Sequence, residues 1–173
     1  MNADGTERSG FAFLEPGRLV EGDLELVLVG RSGGDPVHGR SPSYRFEMRL
    51  VATGKRVGNV DLRVGDTHDL ITYSGQIGYS VLPGHRGNRY AARSCTLLLP
   101  LAREHGMPRL WITCNPDNAA SRRTCEILGA ELVETVDLPP DTAAYRKGER
   151  QKLRYKIELW RAEAVSRQLF ASG

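Results

Sequence analysis

The stretch QIGYSVLPGHRGNRYAARSCTLLLPLAREHG, from Gln76 to Gly106, decides the fold of this 173-residue chain. Its first residues alternate between apolar and small side chains, a pattern typical of a strand. Pro83 and Gly84 stop the strand, and Ala91 opens an apolar repeat with helical spacing. A strand, a glycine-containing turn and a helix aim free backbone N–H groups at an anion. The stretch therefore predicts either an anion site or an ordinary solvated turn.

The composition is that of an ordinary soluble protein. Hydrophobic residues make up 40% of the chain and charged residues 26%. A length of 173 residues predicts one domain whose core needs no disulfide or metal. The net charge of +3 is too small to indicate nucleic-acid binding. No apolar run approaches the ~18 residues that cross a bilayer, so no membrane association is expected.

The cysteines give no sign of a metal site or of disulfides. Cys95, Cys114 and Cys125 are an odd number at no spacing typical of metal ligands. The N-terminus is polar and lacks the apolar segment of a signal peptide. We therefore expect reduced thiols, no bound metal and a cytoplasmic protein.

Most of the remaining elements are predicted to be strands. They are expected at Leu24–Val29, Tyr44–Val51, Val57–Val64, Leu110–Cys114, Ala130–Val136 and Lys152–Trp160. The strand that contains Ile77 is expected to begin at Gln76 or as early as Ile71. Helices are predicted at about Asn88–His105 and at Ala119–Leu128. This order indicates an α/β (α+β) fold, a single domain with a mixed, mainly antiparallel sheet flanked by helices.

The composition also suggests where the domain begins and ends. Residues 1–10 are small, polar and unpatterned, so they are expected to be disordered. Residues 11–160 form the domain, and residues 161–173 form a tail or a short helix. Within the domain, Gly30–Ser43 is rich in glycine and proline and predicts no stable helix. Leu138–Gln151 predicts a long polar loop.

Two segments carry a resemblance to a known family. The segment Arg86-Gly87-Asn88-Arg89-Tyr90-Ala91 is similar to the motif Arg/Gln-x-x-Gly-x-Gly/Ala. Asn118 to Ala130 resembles the motif Asn-x-x-Ser-x-x-x-x-Glu-x-x-Gly-Ala/Phe. Both motifs belong to the GNAT superfamily of acyl-CoA-dependent N-acyltransferases. They occur in the family's order and strand context between Tyr44 and Trp160, so the resemblance implies a GNAT fold.

The resemblance also implies acetyl-CoA as co-substrate. Its pyrophosphate is expected against the N–H groups at the start of the helix, and Val81 and Leu82 are expected to bind the pantetheine arm through their backbone. A backbone N–H near Leu82 is expected to polarise the thioester, and Asn118 to hydrogen-bond the arm from the other side. The implied cofactor-binding residues are Val81, Leu82, Arg86, Gly87, Asn88, Arg89, Tyr90, Ala91 and Asn118.

The chain departs from the family's pattern at functional positions. Arg89 stands where the family usually has glycine. Cys125 stands where many members carry a general-acid tyrosine, and Thr113 where some carry a general-base glutamate. Ser121 matches a serine that lies near the coenzyme sulfur in some relatives. Ser121 and Cys125 are therefore the candidate catalytic residues, the alternatives being a helix-capping serine and a buried cysteine.

These features predict an N-acetyltransferase that moves an acetyl group from acetyl-CoA to a primary amine by direct attack. The alternative is an acyl-CoA-binding regulatory module with little or no catalysis, because the family's tyrosine and glutamate are missing. The basic residues Arg146, Lys147 and Arg150 favour an acceptor with a carboxylate or phosphate near its amine, unless they are simply solvated. The identity of the acceptor, the acyl chain length and a homodimer stay open.

Overall fold

The computed structural model describes residues 10–160, so the expectations for residues 1–9 and 161–173 lie outside the described residues. The elements in chain order are β1 Leu19–Glu21, β2 Leu24–Ser32, β3 Ser43–Leu50, β4 Arg56–Arg63, β5 Ile77–Val81, α1 Tyr90–Glu104, β6 Arg109–Cys114, α2 Ala119–Ile127, β7 Glu131–Asp137, α3 Ala143–Arg146 and β8 Gln151–Glu158. Short 3-10 turns occupy Pro36–His38 and Pro83–His85, and a π-helical turn occupies Leu70–Ser74.

The strands form two sheets. Five strands pair in the order β1-β2-β3-β4-β5, and three pair in the order β6-β8-β7. Every strand pair in the described range is antiparallel, and the last strand, β8, lies between β6 and β7. The predicted α+β fold with a mainly antiparallel sheet and flanking helices is confirmed. No helix among residues 10–160 is long and apolar enough to span a membrane.

The two sheets join at one residue pair and separate beyond it. The backbone N–H of Gln76 donates to the Trp111 carbonyl at 2.8 Å, and the Gln76 Oε1 atom accepts from the Trp111 N–H at 2.8 Å. No ladder pairs β5 with β6 in the described part of the chain. One edge of β5 is therefore left without a partner strand, and this edge forms one wall of the candidate site.

Helix α1 covers the five-stranded sheet next to this edge. Its predicted apolar stripe, Ala91, Cys95, Leu98 and Ala102, is buried against the core, which confirms the helix that the stretch predicts. Burying a leucine side chain such as Leu98 contributes roughly 1.5–3 kcal/mol. Pro100 lies on an exposed side of α1 and does not end the helix. Burial of the stripe thus fixes the N-terminus of α1 beside β5.

Two strand features differ from expectation. The short strand β1 was not predicted, and of the two predicted starts of the strand that contains Ile77, the earlier one at Ile71 is excluded, because Leu70–Ser74 is a π-helical turn. The guanidinium of Arg154 on β8 donates two hydrogen bonds to the Ile71 carbonyl, at 2.8 and 3.0 Å. A contact between residues 83 positions apart holds the turn, and no local pattern could indicate it.

The two breaker-rich segments behave differently. Between the end of β2 at Ser32 and the start of β3 at Ser43, Gly30–Ser43 contains only the 3-10 turn at Pro36–His38, so the expectation of no stable helix is confirmed. The Leu138–Gln151 segment was predicted as a loop, but it also contains the one-turn helix α3. Thr142 caps α3 by accepting a hydrogen bond from the backbone N–H of Tyr145 at 3.3 Å.

Candidate active site

The turn between β5 and α1 presents unpaired backbone donors. The first N–H group that the helix uses is that of Arg93, which donates to the Arg89 carbonyl at 3.0 Å. In the described range, the N–H groups from Gly87 to Ala91 have no backbone acceptor. Free N–H groups at a helix N-terminus carry partial positive charge and attract anions. The turn can therefore hold a phosphate group.

Arg89 has an unusual backbone conformation at this turn. Its φ angle is +58°, and no other non-glycine residue in the described range has a positive φ. A side chain in this left-handed conformation costs ~1–2 kcal/mol, whereas glycine adopts it freely. The backbone geometry explains why a glycine is typical of this motif position, and why the arginine is an exception that brings a cation to the turn.

The free edge of β5 presents backbone groups to the gap between the sheets. The Leu82 N–H donates to the Val57 carbonyl at 2.8 Å, so it points towards β4. Because hydrogen-bonding directions alternate along a strand, the N–H and C=O groups of Tyr79 and Val81 point into the gap. The N–H of Leu82 itself is therefore not available to a thioester, and the expectation of a polarising N–H near Leu82 stays a prediction. The donors on this edge are one and three residues earlier.

A groove of 540 Å³ runs along this edge and over the turn. Of the predicted site residues, it is lined by Val81, Arg86, Gly87, Arg89, Tyr90, Ala91, Asn118 and Ser121. Leu82, Asn88 and Cys125 do not line it. Asn88 instead donates its side-chain amide to the His85 carbonyl at 3.1 Å, and Arg86 donates its Nε–H to the Val81 carbonyl at 3.3 Å. One continuous surface thus unites Val81 with seven residues from two separate motifs.

Helix α2 brings Ser121 to the floor of the groove. The Asn118 side chain caps the helix by accepting a hydrogen bond from the Ser121 N–H at 3.0 Å. The Ser121 hydroxyl lies 2.7 Å from the hydroxyl of Tyr79, and Ser121 is only 7% exposed. Burial raises the pKa of Tyr79 far above its usual range, so this phenol stays protonated.

Sequence reasoning did not single out Tyr79. It took this residue only as one of the alternating apolar positions of a strand. A buried tyrosine hydroxyl usually finds a hydrogen-bond partner, so an in-facing tyrosine beside an anion-binding turn is the signal that could have found it. The partner, Ser121, lies 42 residues away in the sequence.

Cys125 lies behind this hydroxyl pair, in the core. Its side chain is fully buried, and burial raises the pKa of the thiol to about 12. A thiol with such a pKa is neutral at pH 7 and is not a nucleophile. Burial likewise raises the pKa values of Cys95 and Cys114. All three cysteines are free thiols in the structure, and their positions suit packing.

A central chamber of 210 Å³ continues the groove through the gap between the sheets. It shares Tyr79, Asn118 and Ser121 with the groove, and its other lining residues are Arg63, Ser74, Ile77, Gly78, Thr113, Cys114, Asn115 and Lys152. The Thr113 hydroxyl is engaged, since it donates to the Tyr73 carbonyl at 2.9 Å. No Asp, Glu or His side chain in the described range lines the central chamber.

A distal chamber of 440 Å³ lies beyond the central one and shares Arg63 and Ser74 with it. Its other lining residues are Ser32, Gly39, Arg40, Ser41, Ser43, Asp69 and Leu70. Several of them come from Gly30–Ser43, the segment that carries no α-helix. The groove, the central chamber and the distal chamber therefore form one path, with the Tyr79–Ser121 pair at the first junction and Arg63 at the second.

The predicted basic loop does not contribute to this path. The Arg150 guanidinium lies 3.9 Å from the centre of the Tyr145 ring and donates to the Tyr145 carbonyl at 2.9 Å. Arg146 donates to the Asp141 carbonyl at 2.6 Å. Neither residue lines the groove or a chamber, and neither does Lys147. The expectation that this loop supplies the charge at the acceptor site thus has no support from the geometry.

Solved structures with the same fold come from acetyltransferases. An acetyltransferase of the GNAT family from Bacillus anthracis is 19% identical over 66% of this chain and 66% of that one, just under two thirds of its length, with a TM-score of 0.54. A GNAT-family protein from Chromobacterium violaceum is 15% identical over 88% of this chain and 91% of that one, with a TM-score of 0.62. The microcin C7 self-immunity acetyltransferase MccE, solved with acetyl-CoA and AMP, is 16% identical over 67% of this chain and 61% of that one, with a TM-score of 0.50.

The sequence itself also matches a family. No curated protein sequence matches the chain significantly. The model of the acetyltransferase (GNAT) domain matches residues 36–131, which include the β5–α1 turn, the whole of α2 and most of the central chamber. That range is more than half of the chain. The protein therefore belongs to the GNAT acetyltransferase family, an enzyme family.

Proposed function

We propose that the protein is an N-acetyltransferase that moves an acetyl group from acetyl-CoA to a primary amine by direct attack. The observation that carries this proposal is the position of the Tyr79–Ser121 hydroxyl pair, which lies where the groove meets the central chamber. A donor molecule in the groove and an acceptor in the central chamber would meet at this pair. The groove and the central chamber are thus arranged for transfer between two bound ligands. A protein that only binds acyl-CoA would not need the central chamber.

The groove has the chemistry that coenzyme A requires. The free N–H groups of Gly87–Ala91 and the cations of Arg86 and Arg89 suit its pyrophosphate. The free edge of β5 at Tyr79 and Val81 suits an amide-containing arm, which can pair with it as an added strand would. Further support comes from MccE, whose structure holds acetyl-CoA on the same fold. We infer that these residues, with Asn118, bind the coenzyme.

Bound acetyl-CoA supplies a thioester whose carbonyl carbon accepts the lone pair of a neutral amine. The N–H groups of the β5 edge can donate to the oxygen of that carbonyl and stabilise the negative charge that develops there. The central chamber contains no carboxylate or imidazole among its described lining residues. The amine must therefore reach the chamber neutral or lose its proton to water, and the rate should rise with pH until the amine is deprotonated.

Ser121 is suited to assist the leaving sulfur. Because Tyr79 stays protonated, its O–H can donate to the Ser121 oxygen, which leaves the Ser121 O–H free to donate to the sulfur. A thiol has a reference pKa of ~8.5, so the departing thiolate needs only a hydrogen bond and then takes a proton from water. The proton that the amine loses balances the one that the thiolate gains. Neither hydroxyl has to ionise.

The experiment combines binding and turnover. Coenzyme A at 100 times its Kd should raise the free energy of unfolding by ~2.7 kcal/mol, and Arg86→Ala should reduce that gain. With acetyl-CoA and a panel of amines, the protein should release free thiol in step with acetylated amine. Binding of coenzyme A without acetylation of any amine would favour the regulatory module instead. Absence of a melting shift at millimolar coenzyme A would contradict both functions.

A further inference from the structure

We propose that the acceptor is an α-amine that carries a carboxylate, and that Arg63 binds this carboxylate at the inner end of the central chamber. The inference rests on the proposed function, because it names the second substrate of the same site. It is carried by the position of Arg63, which lines both chambers, while the Tyr79–Ser121 pair lies at the opposite junction of the central chamber. An acceptor that spans the central chamber can place its amine at the Tyr79–Ser121 pair and its carboxylate at Arg63.

The structure holds the Arg63 guanidinium in place without using all of its donors. The Nη1 atom donates to the carbonyls of Ser74 and Gly75 at 3.3 and 3.0 Å. The group lies over Gly78 of β5, where a Cβ atom in place of the glycine hydrogen would come within 3.2 Å of Nη2. A guanidinium has five N–H donors in a rigid fork. The N–H groups of Nε and Nη2 are left for a ligand. Together they can donate two parallel hydrogen bonds to the two oxygens of a carboxylate.

Arg63 forms no ion pair with the other described residues, unlike the second cation in the central chamber. Lys152 donates to Glu149 at 2.5 Å and to the Asn115 side chain at 2.6 Å. Among the ion pairs of the described residues, none includes Arg63, which bonds only to backbone carbonyls. A half-buried cation without a counter-charge gains more from an anionic ligand than a paired one does. Arg63 is therefore the anion-binding residue of this chamber.

The same chamber favours an α-amine over a lysine side chain. No base lines it among the described residues, so the acceptor must supply its own neutral amine. At pH 7.5, about a third of α-amino groups with a pKa of ~7.7–8.0 are neutral, against about 0.1% of lysine amines with a pKa of ~10.4. The cations nearby lower the pKa of a bound amine further. A peptide that begins with an acidic residue meets both requirements, and so does an acidic amino acid whose α-carboxyl group is amidated.

The distal chamber has room for the rest of a larger acceptor. Its 440 Å³ open directly from Arg63, and its lining consists largely of serine, glycine and backbone from Gly30–Ser43. Besides Arg63, the distal chamber is lined by one cation, Arg40, and one anion, Asp69, so its other charges balance. The carboxylate preference is therefore expected to arise at Arg63 itself, whether the acceptor is a peptide or a single amidated residue.

The test compares acceptors that differ by one charge. The pairs are Asp-Ala-Ala-amide against Asn-Ala-Ala-amide, and aspartate α-amide against asparagine α-amide, assayed with acetyl-CoA at saturation. We expect kcat/KM for the acid member to exceed that for the neutral member by roughly 10- to 100-fold, the value of a charge-assisted hydrogen bond. Arg63→Gln should lower the rate with the acid member to that of the neutral one, and Arg63→Lys should fall between. The pair with the larger rates shows whether the acceptor is a peptide or a single amidated residue.

Arg56→Gln is the matched control, because Arg56 lies on the same strand β4, is exposed and lines neither chamber. It should keep the preference for the acid. Equal rates for acid and neutral acceptors in the native protein would overturn the inference, as would an Arg63→Gln effect of equal size on both. Efficient acetylation of spermidine or an aminoglycoside alone would overturn it and leave the proposed function standing. Acetyl transfer to no amine at all would overturn the proposed function, and this inference with it.

Discussion

The hydroxyl of Ser121 on α2 lies 2.7 Å from the hydroxyl of Tyr79 on β5, at the junction of the groove and the central chamber. Tyr79 belongs to the five-stranded sheet and Ser121 to a helix that connects strands of the other sheet, so the two meet only where the sheets separate after Gln76. If Ser121 donates to the leaving sulfur, Ser121→Ala should lower kcat by roughly 10- to 100-fold at saturating acetyl-CoA, the value of one charge-assisted hydrogen bond. Tyr79→Phe should lower it less, because the phenol acts through the serine.

Cys125→Ser is the control for that comparison. The added hydroxyl would be buried, so the free energy of unfolding should fall by ~1–3 kcal/mol, while kcat per folded molecule should not change. Denaturant unfolding and steady-state rates on the same preparations measure both quantities. If the cysteine variant alone abolished turnover with its fold intact, the roles assigned to Ser121 and Cys125 would be inverted.

Asn118 has two roles that a pair of variants can separate. Its Oδ1 atom caps α2, which leaves the side-chain NH2 group for a ligand in the groove. Asn118→Asp keeps the cap and removes the donor, so KM for acetyl-CoA should rise without loss of stability. Asn118→Ala removes both, so it should also lower the free energy of unfolding by ~1 kcal/mol. An unchanged KM in the Asp variant would limit Asn118 to capping.

Arg89 is expected to lower the free energy of unfolding of the ligand-free protein and to strengthen its binding of coenzyme A. Arg89→Gly relieves the left-handed backbone at φ +58° and should raise the free energy of unfolding of the ligand-free protein by ~1 kcal/mol. It also removes a cation from the groove, so the melting shift with coenzyme A should shrink. Arg89→Ala is the matched control, since it loses the charge and keeps the strain. A full coenzyme shift in both variants would show that Arg89 does not contact the phosphates.

His105 should make the fold sensitive to acid. Burial holds its pKa below the usual value, and its Nε2 atom lies 2.7 Å from the Tyr44 hydroxyl. Because the unfolded chain takes up the proton at a pKa of ~6.5, the stabilisation is fully present above that pH and is lost as the pH falls towards the lower folded pKa. Denaturant unfolding at pH 7.5 and 5.5 should show this loss, and His105→Gln should reduce it. The exposed His68→Gln is the control and should leave the pH dependence as it is.

Local sequence patterns were sufficient to predict those elements whose periodicity, stop residues and caps lie within the element itself. The alternation in β5, the stop at Pro83 and the stripe of Ala91, Cys95, Leu98 and Ala102 predicted the strand, turn and helix that hold the groove. Asn118 indicated the start of α2 through its capping side chain. Errors arose where a distant partner decides the conformation. Arg154 holds the Ile71 turn from 83 residues away, and the Val57 carbonyl accepts the hydrogen bond of the Leu82 N–H, so the free N–H groups of this strand are those of Tyr79 and Val81.

The sequence by itself determined the family, the element order and the residues at the anion-binding turn, because these depend on periodicity, glycine and proline positions and capping over a few residues. Only the tertiary structure decided what lies across the gap between the sheets. It brought Tyr79 to Ser121, left Arg63 without an ion-pair partner among residues 10–160 and turned Arg150 onto Tyr145. Hydrogen bonds and ion pairs act between atoms a few ångströms apart, whatever their separation along the chain, so such partners are decided by how the two sheets meet.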